Sequence, residues 1–510
     1  MECSMTTGKI HFRNATEQLS WLFVFAITLG WLAFLFFQRG HPFDEAEHAH
    51  VSWLISQGKK PLDDFFQHHQ PLLWSALALY YRAGFTGAGV LIWGRVLVIL
   101  SGIVSIFSLW TLGSGVPTKS SLYGGPQTIS TPIQWRILSY LGAAIFIGLT
   151  GFLPELFVVR PETIATGLIL LALVIWRSEA SAFSIVVAGA LAGAAAYATP
   201  RFVLLGGLFV LIGRSSVRRW LLLATGAALF VGAYTTLSGF GIDKVLFSLR
   251  FSSYLQSVGD GVAGRREITW IRLLFVTGLP LGALAFLVPK AEHARALALL
   301  GYAVIVFAAC NRLAGLFRYA QAYAPFIVAV AVAAAWIGGR LAWPRQPLLA
   351  LGTVTAAMVI LPGFLSFKPT RPQLDFLASV RARDRLASLV PPSGTILVFT
   401  KDNPITIEDA SYYGIPLSDG SDRLCRAVRG FQSSGNNISG LRLPECNFLK
   451  ALENARPYLV DRSITGSTTD AARAEQIIVK NYLPVALGNR FPAYLQEDVE
   501  RRVDSAPSGQ

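Results

Sequence analysis

Charge is scarce in this sequence: Asp, Glu, Lys and Arg make up 15% of its 510 residues, against 53% hydrophobic residues. Soluble domains carry about a quarter of charged residues, so an ordinary soluble globule is excluded. A mean hydropathy of +0.48 points instead to a chain that crosses a membrane repeatedly. Cysteine is equally sparse, with four in the whole chain, which excludes a small disulfide-built scaffold. No glycine-rich nucleotide loop is evident among the 46 glycines. The excess of Lys and Arg, a net charge of +14, forms no basic stripe interleaved with aromatics, so nucleic-acid binding is excluded. It is spread over both faces of the apolar segments and suits anionic lipid head groups on one side and phosphates on the other. No long internal repeat and no small-residue cleavage site after the first apolar segment are visible, which predicts a retained signal anchor.

What is present is a series of apolar segments close to the ~20 residues that a bilayer requires. They fall at 21–37, 89–112, 136–157, 163–176, 183–198, 202–212, 220–237, 271–288, 294–309, 322–337 and 348–367. The expected fold class is therefore an α-helical polytopic membrane protein of about eleven transmembrane helices. The segment at 202–212 is short for a crossing. Hydropathy falls after Pro369, and residues 369–510 read as a soluble, extracytoplasmic α/β domain behind a membrane domain at 1–368. In it, 394–400 (GTILVFT) and the PYLVD run around Leu459 have strand patterns. Cys425 and Cys446 lie in a loop-rich part of this domain and are disulfide candidates. Lys and Arg divide almost evenly between alternate loops. The shorter loops on the N-terminal side carry few acids, and this favours an inside N-terminus and an outside C-terminus.

The chemistry concentrates in the first outer loop, 39–88, and above all in 41–74, HPFDEAEHAHVSWLISQGKKPLDDFFQHHQPLLW. Carboxylates beside a membrane exit are costly to dehydrate and normally mark a site. Asp44 is placed to cap a helix starting near Glu45 and ending at Gly58, with Ala49, Trp53 and Leu54 as its apolar stripe. A second helix is expected after Pro71, to about Tyr81. Further outer-face groups follow: Arg160-Pro161-Glu162, Thr199-Pro200-Arg201, a possible surface helix within 238–267, and Arg318-Tyr319 before the tenth segment.

Asp44-Glu45 just after the first span, followed by the D-F-F-x-H-H-x-P-L-L-W run from Asp64 to Trp74, resembles the polyprenyl-phosphate-sugar-dependent glycosyltransferases of GT-C fold. These include protein O-mannosyltransferases and the lipid A aminoarabinose transferase. Arg160-Pro161-Glu162 is similar to an Arg-Pro-Asp-like turn of that family, and the Arg318-Tyr319 region to its R-Y-x-x-x-x-P region. Two positions depart from the pattern: Gln67 stands where relatives often carry Glu, and Gln70 where they often carry Pro.

The resemblance implies an inner-membrane enzyme that moves a sugar from a polyprenyl-phosphate carrier to an extracytoplasmic acceptor, an envelope glycan, lipid or protein. It implies Asp44 as general base. Glu45 and Glu162 are candidates to align sugar or acceptor hydroxyls. Lys59, Asp64, His68, His69, Arg160, Arg201, Arg318 and Tyr319 are candidates for binding substrate or phosphate. A divalent metal is possible, although Gln67 removes a carboxylate ligand. Each of these groups also has a plainer reading: Asp44 as a helix cap, Arg160 and Glu162 as a pair at a helix end, Arg201 and Arg318 as snorkelling residues, Lys59 as a solvated turn. Arg95, inside the second span, is expected to pair within the bundle. A transporter is the alternative, but it would place its charges near the midplane on broken helices of two similar halves. An anchored binding protein would leave the acids of the first loop without a purpose.

Overall fold

In the computed structural model the described residues are 43–65, 67, 69–85, 89–114, 141–143, 145–146, 159–177, 181–213, 216–257, 278–279, 281–313, 323–340, 396–397, 430–434, 459–461, 469–486 and 492–496. The spans expected at 21–37 and 348–367, most of the one at 136–157, and His68, Arg318, Tyr319, Cys425 and Cys446 lie outside them.

The fold is mostly helical. Two short helices, α1 (Phe43–Ser56) and α2 (Leu72–Arg82), come first and pack on one another. They are followed by α3 (Gly89–Gly113), α4 (Pro161–Arg177), α5 (Ala182–Ala198), a 3-10 turn (Pro200–Leu205), α6 (Gly206–Ile212), α7 (Val217–Ser238), α8 (Ile242–Ser257), α9 (His293–Leu313) and α10 (Ala324–Gly338). Among the described residues, three stretches are long and apolar enough to cross a membrane: Gly89–Gly113, Val217–Ser238 and Lys290–Cys310. The short segment expected at 202–212 is a 3-10 turn joined to a two-turn helix. At the rises of these helices it extends roughly 22 Å, well short of a ~30 Å hydrocarbon core.

Neighbouring helices pack in series, α3 on α4, α4 on α5 and α5 on α7, while α10 lies against α3, α4 and α9. Every residue of α10 is buried, as its sequence APFIVAVAVAAAWIG dictates: with no polar face, it has nothing to offer water. The α5–α7 crossing depends on glycine. A Cβ on Gly189 would stand 2.0 Å from the Leu223 carbonyl oxygen, and one on Gly226 2.0 Å from that of Val186. Small residues at these positions let the two backbones touch, the usual way for apolar helices to associate in lipid.

The bundle has two polar ends. At one, Arg177 donates to the Leu112 carbonyl and Arg219 to that of Trp176. Arg219 also lies over the Trp176 ring at 4.7 Å, Arg340 lies over Trp336 at 3.8 Å, and Glu292 bridges Arg295 and Arg340. The other end carries α1, α2 and the starts of α3, α4 and the 3-10 turn.

In the last part of the chain, β1 (Ile396–Leu397) and β2 (Leu459–Asp461) pair in parallel, and β3 (Tyr482–Ala486) and β4 (Pro492–Gln496) form a hairpin. The sheet order is β1-β2-β4-β3, with β2 and β4 antiparallel. Pro484 is tolerated because β3 is an edge strand, and Pro492 because it opens β4. Helix α11 (Thr469–Asn481) leads into β3. Both strand patterns seen in the sequence are thus strands, whereas α11 and the hairpin were not expected.

Candidate functional site

Helix α1 is fixed at its N-terminal end by a buried ion pair. Glu45 is fully enclosed, and Arg95 of α3 donates to its Oε2 through Nη2 at 2.8 Å and Nε at 3.2 Å. The Val159 backbone N–H donates to its Oε1 at 3.1 Å. Glu45 therefore ties the helix to the start of α3 and to the residues that lead into α4. It names the partner of Arg95 that the sequence left open. A buried pair of this kind contributes position more than stability, but removal of one member costs about 3–5 kcal/mol because a bare charge remains.

Asp44 precedes Glu45 and stands inside the first turn of α1, which begins at Phe43, two positions earlier than a capping role for Asp44 requires. Helix α1 ends near Gly58, whose φ of +81° supplies the left-handed stop that glycine adopts readily. Ala49 is buried and Trp53 and Leu54 are half-buried, as the apolar stripe predicted.

A tight turn follows. Lys59 and Lys60 are exposed. The Asp64 carboxylate accepts from the Lys60 N–H at 2.7 Å, and Asp63 pairs with Lys244 of α8 at 2.5 Å. Leu62 is held at φ +69°, an unfavourable conformation for a branched side chain. It is pinned by burial among Tyr197, Phe240, Phe247, Phe251 and Phe431 and by donation of its N–H to Phe65 O at 2.7 Å. Asp64 and Lys59 thus serve the turn and its solvated edge.

The turn delivers Gln67, His69 and Gln70 into the bundle end, with both glutamines buried. Trp74 of α2 donates its indole N–H to His48 Nδ1 at 2.8 Å. The His48 and His69 rings lie 6.2 Å apart, edge to face, and His69 and Trp74 6.5 Å apart. Burial and the neighbouring His69 hold His48 down at about 3, in spite of the upward pull of Glu45. His69 is also lowered, first by burial, with Glu162 raising and Arg201 lowering it. Glu162, at the start of α4, and Arg201, in the 3-10 turn, therefore both act on His69. Glu162 Oε2 is buried with no hydrogen-bond partner among the described residues. Arg160 stands two residues ahead of it, at the head of α4.

The structure thus brings Glu45, His69, Arg160, Glu162 and Arg201 to the bundle end that bears Asp44. Two residues there were missed. His48 sits one helical turn after Asp44, and Trp74 closes the D-F-F-x-H-H-x-P-L-L-W run. Their spacing was readable, but the bond between them was not. Among the described residues, no three His, Cys, Asp or Glu side chains are grouped closely enough to hold a metal ion. Chemically, the end combines a carboxylate-bearing helix start, a neutral imidazole, a buried carboxylate and guanidinium groups, a set suited to moving a proton beside an anion.

The sequence matches no family model, and no curated protein matches it significantly. The fold does have counterparts. It aligns with the crystal structure of ArnT from Cupriavidus metallidurans in the apo state over 94% of this chain and 98% of that one, with a TM-score of 0.57 at 13% identity. The same protein bound to undecaprenyl phosphate aligns with equal coverage, a TM-score of 0.58 and 14% identity. Nearly the whole chain therefore shares the fold of ArnT, in agreement with the GT-C resemblance of the first-loop motif.

Proposed function

We propose that the protein is an integral-membrane glycosyltransferase that moves a sugar from a polyprenyl-phosphate carrier to an extracytoplasmic acceptor. One observation carries the reading: the Glu45 clamp joins α1, which bears Asp44, to the bundle end where His69, Glu162 and Arg201 converge. A protein of the same fold that binds undecaprenyl phosphate supports the choice of carrier.

In this reading the acceptor hydroxyl oxygen attacks the anomeric carbon, the carbon–oxygen bond to phosphate breaks, and polyprenyl phosphate leaves with the electron pair. The Asp44 carboxylate takes the hydroxyl proton, since an unionised alcohol is a poor nucleophile. Arg201 and Arg318 balance the phosphate charge, which is worth most where water is excluded. His69, Arg160 and Tyr319 add contacts to the donor, and Glu162 aligns sugar hydroxyls. An apolar cavity of about 330 Å³, lined by Leu72, Ala76, Ile164, Leu168 and Phe230 among others, begins beside α2 and the first turns of α4 and offers room for an isoprenoid.

The site end and residues 369–510 face outside, with the arginine-rich end inside. Reporter fusions at Arg214 and Gly394 test this orientation and should give opposite locations; one shared location contradicts it. The function is tested by mass spectrometry of envelope lipids, glycans and glycoproteins from cells with and without the gene. Loss of one sugar from one glycan supports the reading and names donor and acceptor together. An unchanged glycan profile in cells that express the protein contradicts it.

A further inference from the structure

Four charged groups at the arginine-rich end have no part in the reaction as drawn: Arg177, Glu292, Arg295 and Arg340. Helix ends bring them together. Arg177, the last residue of α4, donates to the Leu112 carbonyl in the last turn of α3. Gly339, just after α10, packs on the next carbonyl, that of Gly113, so closely that a Cβ would not fit. Arg340 therefore leaves the bundle at the same helix end that Arg177 caps. It also meets the 3-10 turn Lys290–Glu292, which opens α9. The Glu292 carboxylate lies 3.8 Å from Arg340 Nε and 4.0 Å from Arg295 Nη1, too far for a hydrogen bond to either nitrogen.

Three guanidinium groups thus share one loosely placed carboxylate, which leaves a surplus of positive charge. Burial, followed by Arg177 and with Arg295 adding to it, pulls the Arg340 guanidinium down to about 10 against the upward pull of Glu292. Like charges gathered beside lipid, where water screens poorly, favour a further anion. The surroundings indicate its kind. Arg295 is exposed, and it stands near one end of the Lys290–Cys310 stretch, at the level of the head groups. From there α9 turns an apolar stripe outward, with Leu297, Gly301 and Ile305 exposed one helical turn apart. The stripe runs for about 15 Å from Arg295, half of a ~30 Å hydrocarbon core.

We infer that this end binds a structural anionic phospholipid, with its phosphate held by Arg295 and Arg340 and an acyl chain lying on the stripe of α9. Guanidinium forks match phosphate oxygens in pairs, which the distant Glu292 carboxylate does not do. A zwitterionic head group brings its own cation and would not offset the surplus. Free phosphate would leave the stripe without a role. The inference stands apart from sugar transfer and needs no donor or acceptor.

The test uses full-length protein in detergent, stripped of lipid. Thermal unfolding is followed with phosphatidylglycerol, phosphatidylcholine or inorganic phosphate added at equal phosphate concentration. Phosphatidylglycerol should raise the melting temperature, and the other two should not. Arg340→Gln and Arg295→Gln should each weaken the apparent affinity for phosphatidylglycerol about tenfold, the loss expected of one charge-assisted contact. Glu292→Gln removes the competing carboxylate and should tighten it. Arg218→Gln deletes the same charge from an exposed place on α7 at the same end, and should leave the affinity unchanged. An equal gain from inorganic phosphate would assign the arginines to a free anion, and an equal gain from phosphatidylcholine would remove the role of charge. Equal weakening in Arg218→Gln would reduce the effect to diffuse attraction. Each of these results overturns the inference. Should Arg340→Gln fail to fold, native mass spectrometry decides the matter with Arg295→Gln, whose side chain is exposed. Wild type should retain one phosphatidylglycerol that Arg295→Gln releases, and equal retention is contrary to the inference.

Discussion

The two ends of the bundle handle charge in opposite ways. At the arginine-rich end, guanidinium groups lie over tryptophan rings and donate to terminal carbonyls, as Arg219 does at Trp176 and Arg340 at Trp336. Each of these contacts finishes a helix. At the opposite end the charges are drawn inward: Glu45 is enclosed with Arg95, and Glu162 turns a buried carboxylate oxygen toward a region that also holds His69 and Arg201. Burial of charge costs stability, and such arrangements are concentrated at functional sites. The first end is architecture, and the second holds the groups on which the proposed reaction rests.

The comparison can be broken by mutation. The largest effect on stability should come from Glu45→Gln or Arg95→Leu, each of which leaves an uncompensated buried group at a cost of about 3–5 kcal/mol. Thermal unfolding in detergent should show the double variant less destabilised than the sum of the singles. Strict additivity would mean that the pair is not coupled.

Next is Arg201→Ala, which should cut transfer from a polyprenyl-phosphate sugar by roughly tenfold or more. Arg201→Lys should restore only part of it, because a point charge replaces a two-pronged donor. Since Gln67 removes a carboxylate ligand, a chelator should change little. Full activity in Arg201→Ala together with complete loss in chelator would assign the phosphate to a metal ion.

Acid should separate the ends as well. His48 is held at about 3 in the folded protein, against an ordinary 6.5. The unfolded chain therefore binds the extra proton first, so stability is complete above pH 6.5 and falls as the pH drops toward 3. The full loss is on the order of 5 kcal/mol. Melting curves at pH 7.5 and 4.5 should differ in wild type and differ less in His48→Gln; equal slopes would remove His48 from the account. The smallest effect is expected at the other end, where Arg340→Ala should cost about 0.5–1 kcal/mol and leave transfer intact.

Much of this was legible before the structure. Hydropathy located α3, α5, α7, α9 and α10 to within a few residues, because an apolar run facing lipid or core has few alternatives to helix. It located α1 and α2 through Gly58, Pro61 and Pro71, residues that stop or start helices by backbone geometry. What was not legible is pairing at long range. Glu45 read as a group to align substrate hydroxyls, yet Arg95, 50 residues later, pairs with it, and no local pattern announces such a bond. His48 and Trp74, 26 apart, are the same case. Helix α11 and the β3–β4 hairpin escaped because 469–481 has too few large apolar residues for a strong helical stripe and Pro484 argues against a strand.

The most direct test of the central claim is donor turnover at Asp44. Wild-type protein and Asp44→Asn, both inserted in liposomes and shown to be folded, are given a polyprenyl-phosphate sugar with an extract of envelope acceptors, and release of free polyprenyl phosphate is measured with time. Removal of a general base typically costs about 10²–10⁴ in rate. The account predicts steady release by wild type and a fall of that order in Asp44→Asn, with melting temperature unchanged. Release at the wild-type rate by a well-folded Asp44→Asn protein would contradict it.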